Sequence, residues 1–297
     1  MNLLWKSGVS LCQINDRVRK GVSKIELHLF ANDLENLDKI EENLNSVRDK
    51  VEIVHTPISD KYNIEALNSS ENKEIIYKTC ELAQRLSNEE RLIDVVIHQT
   101  LSLDRLKIWG LYDVIVSELR YILNKYPNII LNLENLTIIG SADLDKKEEK
   151  DYKYCRDSYF KETLNLCVEL RQDLQTDRIG LVWDVCHGVS SNRLMKSLIE
   201  VGYIEEISEE IYLKTYLPYL NIIHLSNTKE LGYGHGNHGT TFDTEEELKA
   251  LEHLIKLILN YNYKGKITLE VWESDYTDVK NCVVLDKQVR EILQHIS

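Results

Sequence analysis

Ile179-Gly-Leu-Val-Trp-Asp-Val-Cys-His187 is a short apolar run that ends in an aspartate and, one turn later, a histidine. A run of this length without polar alternation is typical of a strand that is buried on both faces, as in a parallel sheet. In α/β folds of this kind the functional residues lie at the carboxyl ends of the strands. Asp184 and His187 are therefore candidates for a functional site.

Seven other short runs of apolar and β-branched residues share this character, and longer amphipathic stretches lie between them. The predicted strands are residues 8–12, 24–29, 51–55, 94–98, 128–134, 179–184, 220–224 and 266–271. Helices are predicted where apolar residues recur at three- and four-residue intervals. These segments are residues 34–47, 71–86, 106–125, 159–174 and 245–259, with two short helices within residues 190–216.

Eight alternations of strand and helix predict an α/β fold of the (β/α)8 TIM-barrel type, formed by a single domain over residues 1–297. The alternative is an open, doubly wound sheet. Such a sheet usually has fewer strands and a glycine-rich phosphate turn after its first strand. GxxxxGKS does not occur here, and the one GxGxxG match, at residues 234–239, does not follow the first predicted strand. The polar segment at residues 137–153 is interpreted either as a solvated loop or as a lid over the functional end of the barrel.

The formal net charge of −13 disfavours nonspecific binding to nucleic acid or to an anionic membrane, so neither is an expected partner. No apolar run reaches the ~18 residues that a membrane span needs, and the first residues contain no cleavable apolar segment. The six cysteines form no CxxC pair and are interpreted as reduced thiols of a cytoplasmic protein. A monomer and a homo-oligomer both remain open.

Side chains that can bind a metal stand at or near the ends of most of the predicted strands. In chain order they are Glu26, His28, His55, His98, Glu134, Asp184, His187, His224 and Glu270. Clustering carboxylates in one apolar cavity is costly unless a positive charge neutralises them, and a divalent cation does so. Imidazole and carboxylate ligands without a thiolate set favour Mn or Zn, with Co as a third choice. Cys186 is predicted to face the barrel wall instead.

Six short motifs carry a resemblance to a known group. They are VHTP (54–57), VIHQ (96–99), LENL (133–136), WDVCH (183–187), HLSNTK (224–229) and LEV (269–271). Together they resemble the xylose isomerase-like TIM-barrel superfamily, and the likeness extends over residues 8–273. That group includes sugar isomerases and epimerases, myo-inosose dehydratases and apurinic endonucleases of the three-zinc type.

The resemblance implies a core metal site formed by Glu134, Asp184, His224 and Glu270. In epimerases of this type these positions hold one Mn-like ion, and the two glutamates flank the substrate carbon. His187 then matches a position that contacts the substrate.

In the endonucleases of the group, the positions that match His55 and His98 bind a second ion together with Glu134. A third ion is bound by the position of His187 and a downstream Asp-x-His motif. This sequence departs from that motif, because the aspartate position falls on Tyr233 if His235 is the histidine and on Gly236 if it is His238.

The first functional hypothesis is a metal-dependent sugar or sugar-phosphate isomerase or epimerase, whose substrate is a small sugar or polyol. Glu134 and Glu270 would exchange a proton beside a carbonyl. The residues expected to contact the substrate are His187, Glu26, His235, His238 and Lys229, and also His55 and His98 if these two bind no second ion.

The alternative is a zinc-dependent apurinic endonuclease-like phosphodiesterase. His55 and His98 favour it, because an epimerase with one ion does not need them. The negative charge, the altered third-ion motif and the absence of a basic-aromatic cluster disfavour it. A catalytically silent metal-binding barrel is a third reading.

Overall fold

In a computed structural model, eight parallel strands close into a barrel in chain order. The strands are β1 Asn2–Ser7, β2 Ile25–His28, β3 Val51–His55, β4 Ile93–His98, β5 Ile129–Glu134, β6 Ile179–Asp184, β7 Leu220–Leu225 and β8 Lys266–Leu269. The structure describes residues 1–57, 61–136, 160–194, 196–200, 206–228 and 238–296. The predicted TIM barrel is confirmed.

Helices surround the barrel in the intervals between the strands. Their bounds are Leu11–Arg19, Leu37–Leu44, Lys73–Leu86, Leu103–Ile108, Tyr112–Lys125, Phe160–Leu174, Val185–Leu194, Lys196–Glu200, Glu209–Tyr216, Glu245–Asn260 and Asn281–Ile296. Short 3-10 turns occupy Ala31–Glu35, Arg48–Lys50 and Ile64–Asn68. Among the described residues, no helix is both long and apolar enough to cross a membrane.

Three of the predicted elements need correction. Instead of two short helices within residues 190–216, the described residues there form three helices, the first of which begins at Val185. The first strand was predicted at residues 8–12, but it lies at Asn2–Ser7, and the helix Leu11–Arg19 begins inside the predicted run. Lys6 interrupts the apolar run of β1, and its burial depends on carboxylates from distant strands, which a local pattern cannot reveal. The helix predicted at residues 106–125 is two helices, separated at Gly110, which has a φ of +68°.

The barrel interior is built in layers because alternate residues of each strand point inward. One layer is a cluster of five buried apolar side chains from β1, β3, β4, β6 and β7: Leu4, Ile53, Val96, Val182 and Ile222. Two residues further along the same strands, the inward positions are all polar: Lys6, His55, His98, Asp184 and His224. The apolar layer therefore lies directly beneath the polar cluster inside the barrel.

A second polar group lies at the amino ends of the strands. Lys266 Nζ is 2.6 Å from Asp94 Oδ2, and Asn132 Nδ2 donates to Asp94 Oδ1 at 2.7 Å. Asn221 Nδ2 in turn donates to Asn132 Oδ1 at 2.7 Å. The apolar layer thus separates two polar groups inside one barrel.

Candidate metal centre

Glu134 is the central residue of the polar cluster at the carboxyl end of the barrel. Its Oε2 lies 3.1 Å from His55 Nε2 and 3.4 Å from His98 Nε2. Its Oε1 lies 3.5 Å from the Nδ1 atoms of both His187 and His224. Burial alone would raise the pKa of Glu134, but His224 and His98 offset this and hold the pKa well below its usual range. The carboxylate is therefore ionised and can join two neighbouring sets of imidazoles.

Glu134, Asp184, His224 and Glu270 form a group in which one ligand atom from each residue lies within 4.8 Å of the others. His224 Nδ1 is 2.7 Å from Glu270 Oε2 and 3.9 Å from Asp184 Oδ2. All four residues are buried, each with 7% exposure or less. We call this set the central group.

Three polar atoms of the central group are buried without a hydrogen-bond partner: Asp184 Oδ2, His224 Nδ1 and Glu270 Oε2. The last two lie 2.7 Å apart but are not aligned for a hydrogen bond. Buried polar atoms are nearly always paired, so orphaned atoms that converge on one point indicate a ligand that joins them. One imidazole nitrogen and carboxylate oxygens are a suitable ligand set for a Mn- or Zn-like ion. The residues present therefore fit a divalent metal.

Two further groups share a carboxylate with the central group. His55 and His98 form one with Glu134, and His187 and His238 form the other with Asp184. His238 also reaches Glu270, because its Nε2 lies 3.5 Å from Glu270 Oε1. The structure thus brings His55, His98, His187 and His238 to the same site as the four residues of the central group.

Several histidines are oriented by partners behind them. Glu26 Oε2 lies 3.1 Å from His224 Nε2 and accepts a hydrogen bond from Thr268 Oγ1 at 2.6 Å. His55 Nδ1 lies 2.7 Å from the carbonyl oxygen of Thr56. Such partners fix the ring orientation of metal-binding histidines. Glu26, predicted to contact the substrate, is fully buried against His224 and Thr268, which suits a positioning role.

Asn135 fixes the position of Asp184 and of His187. Its side chain accepts from the Asp184 amide at 2.8 Å and donates to the Asp184 carbonyl at 3.1 Å. Its carbonyl oxygen lies 2.9 Å from His187 Nδ1, and the His187 amide donates to Asp184 Oδ1 at 2.6 Å. The turn after β6 is therefore held to the turn after β5.

The surroundings of the histidines shift their pKa values in different directions. Burial lowers the pKa of His224, but Glu26, Glu270 and Glu134 more than offset this, so the pKa lies well above 6.5. For His98 the largest effect is that of burial, which lowers its pKa, although Glu134 opposes the shift. These shifts favour a protonated His224 in the metal-free protein and a neutral His98.

Lys6 belongs to this site and was missed in the sequence analysis. Its Nζ contacts Glu270 Oε1 and lies 3.5 Å from Glu26 Oε1. Burial alone would lower the pKa of Lys6, but Glu270, Glu26 and Glu134 raise it above its usual value. The available signal was the position of Lys6 at the end of an apolar run, which matches the polar residues that end the other strands.

A cavity of about 590 Å³ opens beside the central group and is bounded there by Glu270, Lys6 and His238. Its outer rim carries the aromatic side chains of Phe30, Trp272 and Tyr276, which are 64%, 52% and 44% exposed. The remaining lining residues are Ser7, Gly8, Gln13, His28 and Val271. This volume can hold a small molecule next to the carboxylate of Glu270.

Three predictions fall outside the described residues. These are the substrate contacts from Lys229 and His235, and the lid at residues 137–153. Cys186 is described and buried, and burial raises the pKa of its thiol to about 12. It belongs to none of the metal-binding groups found among the described residues.

Known structures share this architecture at low sequence identity. The 3-keto-D-glucoside 4-epimerase of E. coli matches with a TM-score of 0.60 and 12% identity, covering 99% of both chains. The D-psicose 3-epimerase of Clostridium cellulolyticum H10 with D-tagatose matches with a TM-score of 0.56 and 13% identity, over 99% of this chain and 98% of that chain. A putative sugar phosphate isomerase/epimerase of Anabaena variabilis matches with a TM-score of 0.56 and 14% identity, over 100% and 99%. At such identities the likeness concerns the fold.

No curated protein sequence matches this chain. A family model described as a xylose isomerase-like TIM barrel matches residues 18–296, which is nearly the whole chain. The closed eight-stranded barrel agrees with that match. The chain belongs to the xylose isomerase-like TIM barrel family.

Proposed function

We propose that this protein is a divalent-metal-dependent isomerase or epimerase of sugars or sugar phosphates. The observation that carries the proposal is the central group, whose orphaned atoms converge beside a cavity bounded by Glu270. The cavity is large enough for a monosaccharide, and its aromatic rim suits the apolar faces of a sugar ring. The epimerases among the structural neighbours act on substrates of this class, and this supports the proposal.

A bound divalent ion would hold two oxygens of the substrate and stabilise negative charge that develops beside the carbonyl. Glu270 lines the cavity, and this supports a role for its carboxylate in removing a proton from the substrate carbon. Glu134 belongs to the same central group, with a ligand atom within 4.8 Å of those of the other members, and is our proposed second carboxylate of the exchange. Because Glu134 Oε2 touches two imidazoles, a proton received there can pass to His55 or His98.

The second candidate is a metal-dependent phosphodiesterase, and a specific observation favours it. The group of His55 and His98 shares Glu134 with the central group, and the group of His187 and His238 shares Asp184 with it. A shared carboxylate can bridge two ions. Ions roughly 3.5–4 Å apart are typical of hydrolytic sites that cleave phosphate esters.

The charge of the cluster bears on the number of ions. Glu26, Glu134, Asp184 and Glu270 carry four negative charges, and Lys6 carries one positive charge, so the net charge with neutral histidines is −3. The net charge of the cluster becomes −1 with one divalent ion, +1 with two and +3 with three. One or two ions therefore bring the buried cluster closest to neutrality, which favours the smaller counts over a three-ion cluster.

Deuterium exchange separates the two candidates. The metal-stripped protein is reloaded with Mn²⁺, Co²⁺ or Zn²⁺ and incubated in D2O with a panel of ketoses and their phosphates. We expect metal-dependent deuterium incorporation beside the carbonyl, detected by NMR, and its loss in Glu270→Gln. No incorporation with any sugar, together with metal-dependent nicking of an abasic duplex, would reverse the order of the two candidates.

A further inference from the structure

Lys6 is a largely buried cation that the proposed reaction does not use. It lies at the end of β1, where its Nζ contacts Glu270 Oε1 and is 3.5 Å from Glu26 Oε1. Its side chain is 12% exposed, and Lys6 lines the cavity beside Glu270. The ammonium thus stands between a carboxylate of the central group and a carboxylate that orients His224.

Glu26 has two alternative uses in this geometry. Together with His55 and His224 it forms a further set whose ligand atoms lie within 4.8 Å of one another, so these three residues could hold an ion. Glu26 Oε2 also orients His224, while Glu26 Oε1 is buried without a hydrogen-bond partner and faces Lys6. A cation beside Glu26 therefore decides whether this carboxylate binds a metal or only positions an imidazole.

We propose that Lys6 is a resident cation that prevents a divalent metal from binding at Glu26. Metal binding is then limited to the central group and the two groups that share Glu134 or Asp184 with it, and Glu26 remains the positioning partner of His224. This inference rests on the proposed metal-dependent function. Lys6 neutralises Glu26 and Glu270 from the cavity side and repels a divalent ion that approaches the same carboxylates. Its effect is to lower the affinity of the site for metal, so that the ion stays exchangeable.

If Lys6 limits metal binding, removal of its charge should increase the affinity of the site for a divalent ion. Removing the ammonium leaves the four buried carboxylates without the positive charge of Lys6, and a divalent ion then gains attraction and loses repulsion. A lysine that merely orients Glu270 as a ligand would have the opposite effect, because its removal would loosen Glu270 and weaken metal binding.

The test is the dissociation constant of Mn²⁺ and of Zn²⁺, measured on the chelator-stripped protein by competition with a chromogenic chelator. We expect Lys6→Met to bind each ion at least about tenfold more tightly than the wild type, because like charges a few ångströms apart repel strongly in a buried site. Lys6→Arg retains the charge and should stay close to the wild type. Lys266→Met is the matched control, since Lys266 is also a strand lysine paired with a buried aspartate but lies at the other end of the barrel.

Unchanged or weaker metal binding by Lys6→Met would overturn the inference. If Lys6→Met does not fold without metal, folding on addition of Mn²⁺ supports the inference, and failure to fold with Mn²⁺ contradicts it. A wild type that binds neither ion would refute the proposed metal-dependent function and the inference together. A wild type that binds ions while Lys6→Met gains no affinity would refute the inference alone.

Discussion

The two polar groups inside the barrel differ in how completely their members are paired. At the amino ends of the strands, Asp94, Lys266 and Asn132 bond to one another, and none of them has an orphaned buried atom. At the carboxyl ends, Asp184, His224 and Glu270 each leave a buried atom without a hydrogen-bond partner. Both groups cost desolvation, which hydrogen bonds within the protein offset more completely at the amino ends than at the carboxyl ends. The comparison indicates that the amino end stabilises the fold and that the carboxyl end is prepared for a ligand.

The largest expected effect comes from neutralising a carboxylate of the central group. Glu134→Gln or Glu270→Gln should remove most metal affinity and reduce turnover by about 10²–10⁴-fold, the usual contribution of a general acid or base. Turnover and bound metal per chain are the measurements. Glu52→Gln is the matched control, since Glu52 lies at the amino end and pairs with Lys24. Full activity in either central-group variant would reject the assignment.

The second-largest expected effect is a difference in unfolding free energy between variants at the amino end and at the carboxyl end of the barrel. Asp94→Asn breaks a buried charged pair that has hydrogen bonds on both oxygens, so we expect a loss of roughly 1.5–3 kcal/mol of unfolding free energy. Asp184→Asn should leave the metal-free protein as stable as the wild type or slightly more stable, because it removes one of several crowded negative charges. Chemical denaturation of the stripped proteins measures both values. Equal destabilisation by the two variants would contradict the division of roles.

The pH dependence of stability should also separate the metal-free and loaded forms. Because the pKa of His224 is raised well above 6.5 in the folded protein, its stabilising contribution is complete below pH 6.5 and is lost as the pH rises through the raised pKa. The metal-free Tm should therefore fall above pH 6.5. Metal binding requires a neutral imidazole, so stabilisation by Mn²⁺ should grow over the same range. Parallel pH profiles with and without Mn²⁺ would argue against His224 as a ligand.

The smallest expected effect concerns the rim of the cavity. Trp272 is half-exposed, so Trp272→Ala should change the stability of the fold by less than about 0.5 kcal/mol. If its ring contacts the sugar, KM should rise several-fold while kcat stays within about twofold, since the ring does not touch the reacting atoms. Steady-state kinetics on the substrate found by deuterium exchange measures both constants. A large loss of kcat at unchanged KM would place Trp272 nearer to the chemistry than the structure does.

Much of the fold was predictable because seven of the eight strands are short apolar runs with a polar residue at their carboxyl end or next to it. The period-2 alternation of those strands also accounts for the site, since His55, Asp184 and His224 each follow an apolar inward residue by two positions. β1 was wrongly placed because Lys6 is accommodated inside the barrel only through Glu26 on β2 and Glu270 directly after β8, which are distant in sequence. Pairings of that kind, including Glu26 with His224, depend on closure of the barrel and leave no local signal.

The central claim is that the orphaned atoms at the carboxyl end of the barrel bind a divalent metal. Anomalous diffraction at the zinc and manganese edges, from crystals grown with each ion, tests this claim most directly. We expect one strong peak among Glu134, Asp184, His224 and Glu270, and at most one more beside His55 and His98. A third peak on His187 and His238 would promote the phosphodiesterase candidate, and the absence of any peak at this end of the barrel would contradict the central claim.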